Sequence, residues 1–227
     1  MSVAIALDGP AGAGKSSIAK RAAKALDFIY VDTGALYRTI GLAATRKGVE
    51  PKPSAEVEKL LSEITVDLTF NDKGEQIVLL DGEDVSGLIR TPEASMMASK
   101  ISAVPSVRVY LLDLQRNMAK SHNVIMDGRD IGTVVLPDAK VKIFLTASPE
   151  ARAQRRYKEL CEKGMDVKYE DILNDVITRD YNDSHRETAP LKPAEGCVMV
   201  DTTELDFEQS VEKIISGIEK LSEKCSL

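Results

Sequence analysis

Short apolar runs alternate with longer amphipathic segments along this chain. Five of the runs have the length of buried strands, at residues 3–7, 28–31, 124–126, 141–145 and 198–200. Helical periodicity fills the stretches between them and continues in an amphipathic helix at residues 207–221. This alternation is typical of a mainly parallel sheet that is covered by helices on both faces, with right-handed crossovers. The pattern therefore predicts an α/β fold.

Residues 51–90 interrupt this alternation. Two runs of strand character, residues 65–70 and 76–80, are joined by the turn sequence Asn-Asp-Lys-Gly at 71–74, and an Asp-Gly turn follows at 81–82. Strands joined by so short a turn pair in antiparallel fashion. We expect a small antiparallel insertion that packs beside the main sheet.

The composition excludes several classes of protein. The chain has 227 residues with 36 acidic and 30 basic side chains, a formal charge of −6, whereas dedicated nucleic-acid binders usually carry a basic excess. Its longest apolar run, residues 3–7, is far shorter than the roughly 18 residues of a membrane span. Asp8 ends that run too early for a signal peptide. We expect a cytoplasmic protein that binds neither nucleic acid nor membranes.

The cysteines and histidines indicate no metal site. Cys161, Cys197 and Cys225 are odd in number and widely separated, which favours free thiols over a disulfide framework or a zinc site. His122 and His185 are isolated, and we expect them to be surface or helix residues rather than ligands. We therefore assign no metal ion to these side chains.

A phosphate-binding loop follows the first predicted strand. Residues 9–16 match G-x-x-x-x-G-K-[ST] between a strand and a helix, which is the context that this motif requires. Its glycines let backbone N–H groups surround phosphate oxygens, Lys15 reaches the outer phosphates, and the Ser16 hydroxyl can bind Mg²⁺. The predicted nucleotide-binding residues are Gly9, Pro10, Ala11, Gly12, Ala13, Gly14, Lys15, Ser16 and Ser17. Switches, motors and small-molecule kinases all use this motif, so it does not by itself identify the reaction.

Two polar segments follow predicted strands, at the strand ends where open α/β sheets bind ligands. In Asp-Thr-Gly-Ala-Leu-Tyr-Arg at 32–38, either the side chains meet a ligand, or Asp32 merely caps a helix and Arg38 is solvated. In Asp-Gly-Arg-Asp at 127–130, Asp127 is a candidate Mg²⁺ ligand, and Arg129 and Asp130 are candidate ligand contacts. The alternative for the second segment is a turn with a surface ion pair.

Two predicted helices carry grouped charges. The first begins at Ser148 and Pro149 and places three arginines on one face, which is either solvated or an arm that meets phosphates: Arg152, Arg155 and Arg156. The second runs from residue 169 toward residue 187, and one stripe along it turns from apolar to charged: Ile172, Val176, Arg179, Asp183 and Arg186. Either this stripe delivers charges into a cleft, or it leaves the core and forms an ordinary i,i+4 salt bridge.

Taken together, these segments resemble the bacterial cytidylate kinases, which transfer the γ-phosphoryl group of ATP to CMP or dCMP. The resemblance covers nearly the whole chain. It rests on GPAGAGKS (9–16), DTGALYR (32–38), DGEDVSGLIRT (81–91), GRDIGTVVLPDAKVKIFL (128–145) and RDYNDSHRETAPL (179–191). The first segment is generic, whereas the other four together are highly specific.

The resemblance implies roles for individual residues. The CMP phosphate would be held by Tyr37, Arg38, Arg129 and Arg186, and Thr33 belongs to the same substrate-binding set. Cytosine would face Ser99, Arg108 and Asp130, and the ribose hydroxyls would meet Arg179 and Asp183. The catalytic cations would be Lys15, Arg129, Arg186, Arg152 and Arg156. Tyr181 is a departure, because another basic residue often follows the Arg-Asp pair in the family.

The resemblance also implies a division of the chain and a metal. Residues 1–37 and 105–227 would form the phosphate-binding core, with a mobile lid at about 152–166. Residues 38–104 would form the region that binds the nucleoside monophosphate, with the β insertion at about 64–90. Mg²⁺ would accompany ATP, and we expect a monomer.

Two other functions remain open from the sequence alone. A kinase that acts on UMP or shikimate would share the phosphate-binding loop and the arginines. A nucleotide-gated switch would also bind at the loop, although its N-K-x-D guanine-reading motif does not occur in this sequence. These possibilities are separated by testing which acceptors the protein phosphorylates.

Overall fold

The structure, a computed structural model, describes residues 2–224. Its strands are β1 (Ala4–Asp8), β2 (Ile29–Asp32), β3 (Val66–Phe70), β4 (Gln76–Leu80), β5 (Glu83–Asp84), β6 (Val124–Gly128), β7 (Val141–Thr146) and β8 (Val198–Asp201). Its α-helices are α1 (Lys15–Leu26), α2 (Thr33–Lys47), α3 (Ala55–Glu63), α4 (Pro92–Ile101), α5 (Pro105–Ser121), α6 (Pro149–Glu162), α7 (Tyr169–His185) and α8 (Phe207–Lys224). A π-helical turn, Ile131–Val135, follows β6.

The strands predicted from the apolar runs are all present, and their ends differ by one or two residues from the prediction. Four of them continue into an aspartate that the apolar pattern left out: Asp8, Asp32, Asp127 and Asp201. The reason is that backbone pairing continues past the last apolar side chain. The exposed two-residue strand β5 was missed, because two residues are too few to show a periodicity.

The chain divides into two compact units, which are described separately. The first comprises Ile29–Val124 with the extreme N-terminus, and the second comprises Ala4–Phe28 with the residues from Ile125 onward. In the second unit, β1 pairs in parallel with β7 and β7 pairs in parallel with β8, in the strand order β6-β1-β7-β8. This arrangement confirms the predicted α/β class.

Burial on both sides holds the strands of the second unit in place. Ile5, Leu7, Ile125, Met126 and Ile143 are all at most 1 % exposed. A strand that is covered on both faces needs apolar side chains at successive positions rather than at alternate ones, which explains the unbroken apolar runs. The carboxyl ends of these strands carry the polar residues of the candidate site.

The first unit contains the predicted antiparallel insertion. Strand β3 pairs with β4 from Val66↔Leu80 to Phe70↔Gln76, and β5 extends the sheet in the order β3-β4-β5. The turn between β3 and β4 is closed by Asn71, whose side-chain oxygen accepts hydrogen bonds from two backbone amides, and by Gly74 at φ 71°. Helices α2 to α5 share the apolar core of this unit with the insertion.

Helix α7 ends earlier than predicted, at His185 rather than near residue 187. Arg186 is already extended, with φ −65° and ψ 143°, and its Nε donates a hydrogen bond to the carbonyl of Ala189 at 2.7 Å. The amide of Leu191 donates to the carbonyl of Asp183 at 2.7 Å and so closes the helix end. Arg186, the last member of the charged stripe, therefore lies just beyond the helix.

The positions of the cysteines and histidines are as follows. Cys161 and Cys197 are free thiols, Cys225 lies outside the described residues, and His122 and His185 are both exposed. Within residues 2–224, no group of three or more His, Cys, Asp or Glu side chains is arranged to hold a metal ion. None of the helices in this range combines the length and the apolar character that are needed to cross a bilayer.

Candidate active site

The phosphate-binding loop connects β1 to α1 in the second unit. Gly9 has φ 150°, and a Cβ atom at this position would lie 1.9 Å from the carbonyl oxygen of Leu145 in β7. Gly14 precedes α1 with φ 84°, a left-handed conformation that a glycine adopts without strain. Only glycine fits so close an approach to β7, and a glycine-rich loop that leads into the N-terminus of a helix is the arrangement that phosphate binding requires.

Lys15 is the first residue of α1, directly after the loop glycine Gly14, and is only 6 % exposed. Its ammonium donates a hydrogen bond to the carbonyl of Pro10 at 2.8 Å. Burial, together with the cation of Arg129, lowers the pKa of Lys15 to about 7, although carboxylates including Asp127 act in the opposite direction. The negative charge around the ligand-free loop is therefore too small to keep the Lys15 ammonium fully protonated near neutral pH.

Binding of a phosphate ligand at pH 8 should therefore take up a proton. Lys15 is mostly neutral at that pH with a pKa of about 7, and a nearby phosphate anion favours the charged ammonium. Calorimetric titration with ADP in two buffers of different ionisation enthalpy measures the uptake. The same titration of Lys15→Met is the control, and equal proton uptake by both proteins would rule out Lys15 as its source.

Ser16 and Asp127 bring together two oxygen ligands beside the loop. The Ser16 hydroxyl donates to a carboxylate oxygen of Asp127 at 2.8 Å, across 111 residues of sequence. Asp127 is 4 % exposed, which does not fit the alternative of a turn with a surface ion pair. A hydroxyl and a carboxylate next to a phosphate-binding loop form a donor set suited to Mg²⁺.

Asp8 is a residue of this site that sequence reasoning missed. Its two carboxylate oxygens accept hydrogen bonds from the consecutive amides of Ile131 and Gly132, each at 2.7 Å. The carboxylate is 3 % exposed, and burial raises its pKa to about 6. Asp8 thus connects the strand that leads into the loop with the turn after Asp130. A carboxylate at the end of a buried apolar run was the only available signal.

The charged stripe of α7 faces inward. Ile172, Val176 and Asp183 are buried, and Arg179 is partly buried. Asp183 accepts a hydrogen bond at 2.8 Å from Nε of Arg129, which follows β6, so its partner is distant in sequence. This long-range pair supports the interpretation that the stripe delivers charges to a site.

A second pair lies close to this stripe. A guanidinium nitrogen of Arg186 lies 3.5 Å from a carboxylate oxygen of Asp130, and both side chains are less than a tenth exposed. The arginines at 129 and 186 therefore each lie beside a carboxylate. Such pairing offsets the cost of partly removing the two guanidinium groups from water.

The three arginines of α6 do not share a solvated face, contrary to one of the predicted alternatives. Arg152 is 2 % exposed and forms a two-pronged ion pair with Asp180 of α7. Its guanidinium also donates to the carbonyls of Ala147 and Ala11, each at 2.9 Å, and Ala11 belongs to the phosphate-binding loop. One side chain thus joins α6, α7 and the loop. The helix starts as predicted, since Ser148 accepts from the amide of Ala151 at 3.1 Å.

The other two arginines of α6 have separate partners. Arg155 donates to the backbone carbonyl of Thr202, and Arg156 pairs with Glu159 at 2.8 Å on the exposed side of the helix. Spacing along one helix brought these side chains to neighbouring positions. Thr202 follows β8, whereas Glu159 lies one turn further along α6 itself, so the two side chains point in different directions.

In the first unit, the end of β2 and the start of α2 organise a second set of predicted residues. Asp32 caps α2 by accepting from the amide of Ala35 at 3.0 Å, and it also pairs with Arg38 at 2.7 Å. The cap alternative is therefore confirmed for Asp32, but Arg38 is paired rather than merely solvated. Thr33 and Tyr37 are buried beside them.

Arg108 and Tyr37 lie together in the same unit. The Arg108 guanidinium lies over the Tyr37 ring at 5.5 Å from its centroid and donates to the carbonyl of Ser102 at 3.1 Å. Ser99 is half-buried on α4, where its carbonyl accepts from the Ser102 hydroxyl. The structure thus brings Tyr37 into contact with Arg108, 71 positions later in the sequence. The resemblance assigned both residues to the acceptor nucleotide.

Comparison with known proteins gives the family. A family model described as cytidylate kinase matches residues 5–220. The chain is 50 % identical over 220 residues to the cytidylate kinase of Caldanaerobacter subterraneus subsp. tengcongensis, with 97 % of this chain and 96 % of that protein covered. It is 47 % identical over 223 residues to the cytidylate kinase of Thermosipho melanesiensis, with 98 % of each covered.

A solved structure gives an independent comparison of the fold. A gluconokinase from Sinorhizobium meliloti aligns with a TM-score of 0.51 at 14 % identity, over 99 % of this chain and 95 % of that one. A likeness at this identity concerns the fold alone, and it agrees with the α/β class. Since the family model and the relatives extend over nearly the whole sequence, the chain belongs to the cytidylate kinase family.

Proposed function

We propose that this protein transfers the γ-phosphoryl group of ATP to CMP and dCMP, with ADP and CDP or dCDP as the products. The observation that carries the proposal is the buried cation Lys15 in a phosphate-binding loop, in a chain that shares half its residues with a relative named cytidylate kinase. The pairs Ser16–Asp127 and Arg129–Asp183 support it, because they place a candidate metal site and a further cation in the same unit.

In the proposed reaction, a phosphate oxygen of CMP attacks the γ-phosphorus in line. The bond from that phosphorus to the bridging oxygen breaks, and ADP leaves with its electron pair. The attacking phosphate is already ionised, so the reaction needs no strong general base. Catalysis then consists of holding two anions in line and stabilising charge on the transferred group. We assign this task to Lys15, Arg129 and Arg186, with Arg152 and Arg156 as further cations.

Mg²⁺ fits the oxygen ligands beside the loop. We propose that Ser16 would hold the ion, with Asp127 next to it, because their oxygens lie 2.8 Å apart. When bound, Mg²⁺ reduces the charge on the β- and γ-phosphates of ATP. The backbone N–H groups of Gly9 and of residues 11–17 would bind the same phosphates, whereas Pro10 has no N–H to donate.

The roles proposed for the acceptor nucleotide follow the family resemblance residue by residue. We propose Arg38, Tyr37 and Thr33 for the CMP phosphate, together with Arg129 and Arg186. Cytosine recognition is assigned to Ser99, Arg108 and Asp130, and the ribose hydroxyls to Arg179 and Asp183. The pairing of Arg38 with Asp32 and the packing of Arg108 on Tyr37 support these roles, because both guanidinium groups are held in defined positions.

A lid at about residues 152–166 is part of the proposal. Closure would exclude water, which otherwise hydrolyses ATP. Helices α6 and α7 support this idea, since they pack through a small apolar cluster of their own that includes Leu160 and Val176. Arg152 is anchored on backbone carbonyls, so the movement would be larger toward Arg156 and Gly164. A cytoplasmic location and a monomeric state stay predictions.

The test of the proposed function is the choice of acceptor. With ATP as the donor, kcat/KM for CMP should exceed that for UMP by about 100-fold or more, because a site that pairs buried polar groups with cytosine leaves them mismatched against uracil. Cytosine offers an amino donor where uracil has an oxygen acceptor. A coupled assay of ADP formation with CMP, dCMP, UMP and shikimate measures it. Equal kcat/KM for CMP and UMP would contradict the cytosine assignment, and ADP formation independent of any acceptor would favour a switch.

A further inference from the structure

The side chain of Gln76 makes two hydrogen bonds to the backbone of Asp32. Its amide oxygen accepts a hydrogen bond from the Asp32 N–H at 2.8 Å, and its amide nitrogen donates to the Asp32 carbonyl at 3.1 Å. Gln76 is the first residue of β4, in the antiparallel insertion, and lies 44 positions from Asp32. One side chain therefore imitates the paired bonds that a neighbouring strand would make.

The carboxylate of Asp32 in turn holds the Arg38 side chain in position. One carboxylate oxygen caps α2, and the other accepts from a terminal guanidinium nitrogen of Arg38 at 2.7 Å. A Cβ atom at Gly34 would lie 3.1 Å from the other terminal nitrogen of Arg38 and 3.1 Å from the Asp32 carboxylate. The arginine is thus fixed by the carboxylate on one side and by a closely approaching backbone on the other.

The guanidinium of Arg38 also keeps hydrogen-bonding capacity for a ligand. Its Nε is buried and has no hydrogen-bond partner among the described residues, although the side chain as a whole is 21 % exposed. A buried donor without a partner is unfavourable until an acceptor arrives. A phosphate oxygen is an acceptor of the required charge, and its arrival depends on how the guanidinium is oriented.

We infer that Gln76 is a positioning residue for the acceptor phosphate, which orients Arg38 through the backbone and carboxylate of Asp32. This inference rests on the proposed role of Arg38 in holding the CMP phosphate. The antiparallel insertion would then contribute to the reaction by fixing the Arg38 guanidinium, which binds the acceptor phosphate. Gln76 itself touches neither nucleotide in this role.

A double-mutant cycle tests the inference. Gln76→Ala should lower kcat/KM for CMP by about 10-fold through the loss of two hydrogen bonds, and KM for ATP should change less than about twofold. In an Arg38→Ala background the same substitution should have little further effect, because there is no guanidinium left to orient. Glu75→Ala is the matched control, since the side chain of that exposed neighbour accepts its hydrogen bond from Asn71.

The outcomes separate this inference from the proposed function. If Arg38→Ala itself leaves kcat/KM for CMP unchanged, the role of Arg38 is wrong. If Arg38→Ala is damaging but Gln76→Ala is neutral, or if the two losses multiply, Gln76 does not act through Arg38. Should Gln76→Ala fail to fold, Gln76→Glu keeps the size and the accepted bond but removes the donor to the Asp32 carbonyl. It should then lower kcat/KM for CMP by less than the roughly 10-fold expected from the loss of both bonds, with an unchanged KM for ATP, and an unchanged kcat/KM would overturn the inference.

Discussion

Replacing Lys15 by alanine should lower kcat by about 10² or more, since a preorganised electrostatic group commonly contributes about 3 kcal/mol or more to the transition state. Lys15 is the buried cation of the phosphate-binding loop and hydrogen-bonds to the carbonyl of Pro10 in the free protein. A phosphate oxygen would replace that carbonyl as its partner during the reaction. Initial rates at saturating ATP and CMP measure the effect.

This loss should not come from unfolding. Burial, with the neighbouring Arg129 cation, lowers the pKa of Lys15 from 10.5 to about 7, so the folded state disfavours the ammonium relative to the unfolded chain. The unfolded chain binds the extra proton between about pH 7 and 10.5, so Lys15 makes stability rise with pH across that window. Lys15→Met, which removes the buried charge, should therefore melt at the wild-type temperature or above at pH 7.

The control for this experiment is Lys24→Ala, on the exposed side of the same helix. It removes an identical charge that lies away from the loop, and its kcat should equal that of the wild type. Near-wild-type turnover in folded Lys15→Ala or Lys15→Met would show that the loop lysine does not stabilise the transferred group.

Asp183→Ala should lower kcat/KM for CMP by about 10- to 100-fold, because a hydrogen bond to a charged group contributes roughly 1.5 to 3 kcal/mol. Asp183 is 8 % exposed and accepts from Arg129, so the substitution removes a proposed ribose contact and also the partner of a proposed catalytic arginine. A surface salt bridge would have a far smaller effect. Steady-state kinetics with CMP and dCMP measure it.

The acceptors distinguish three possible causes of this loss. If Asp183 binds the 2′-hydroxyl, the substitution should harm CMP more than dCMP, which lacks that group. If it binds the 3′-hydroxyl or acts only by holding Arg129, both acceptors should suffer alike. 2′,3′-Dideoxy-CMP separates these last two cases, because it lacks the 3′-hydroxyl, so a loss that persists with this acceptor acts through Arg129.

Asn182→Ala provides the matched control, since Asn182 is the exposed neighbour on the same helix. Its kinetics should equal those of the wild type with both acceptors. Unaltered kinetics of Asp183→Ala with CMP and dCMP would mean that the inward stripe of α7 serves packing only. The melting temperature of each variant should be recorded, because removing Asp183 leaves Arg129 without this partner.

Features that lie within a few consecutive residues could be predicted from the sequence. The phosphate-binding loop is contiguous, and its Gly-Lys-Ser ending between a strand and a helix already identified Lys15. The strands of the parallel sheet followed from apolar runs, and the hairpin followed from Asn71 and Gly74. These signals are local, because backbone conformation and burial depend on neighbouring residues and on a short repeat.

Partners far apart in sequence could not be predicted in this way. Asp8 meets the amides of Ile131 and Gly132 across more than 120 positions, and Gln76 meets Asp32 across 44. Periodicity states which face of an element is buried, but it does not state which element covers that face. The arginines of α6 illustrate the difference, since equal spacing on one helix led to a buried pair for Arg152 and an exposed one for Arg156. Helix spacing and residue type therefore identified the charges, whereas the packing of distant elements buried Arg152 against Asp180 and left Arg156 with a partner on its own helix.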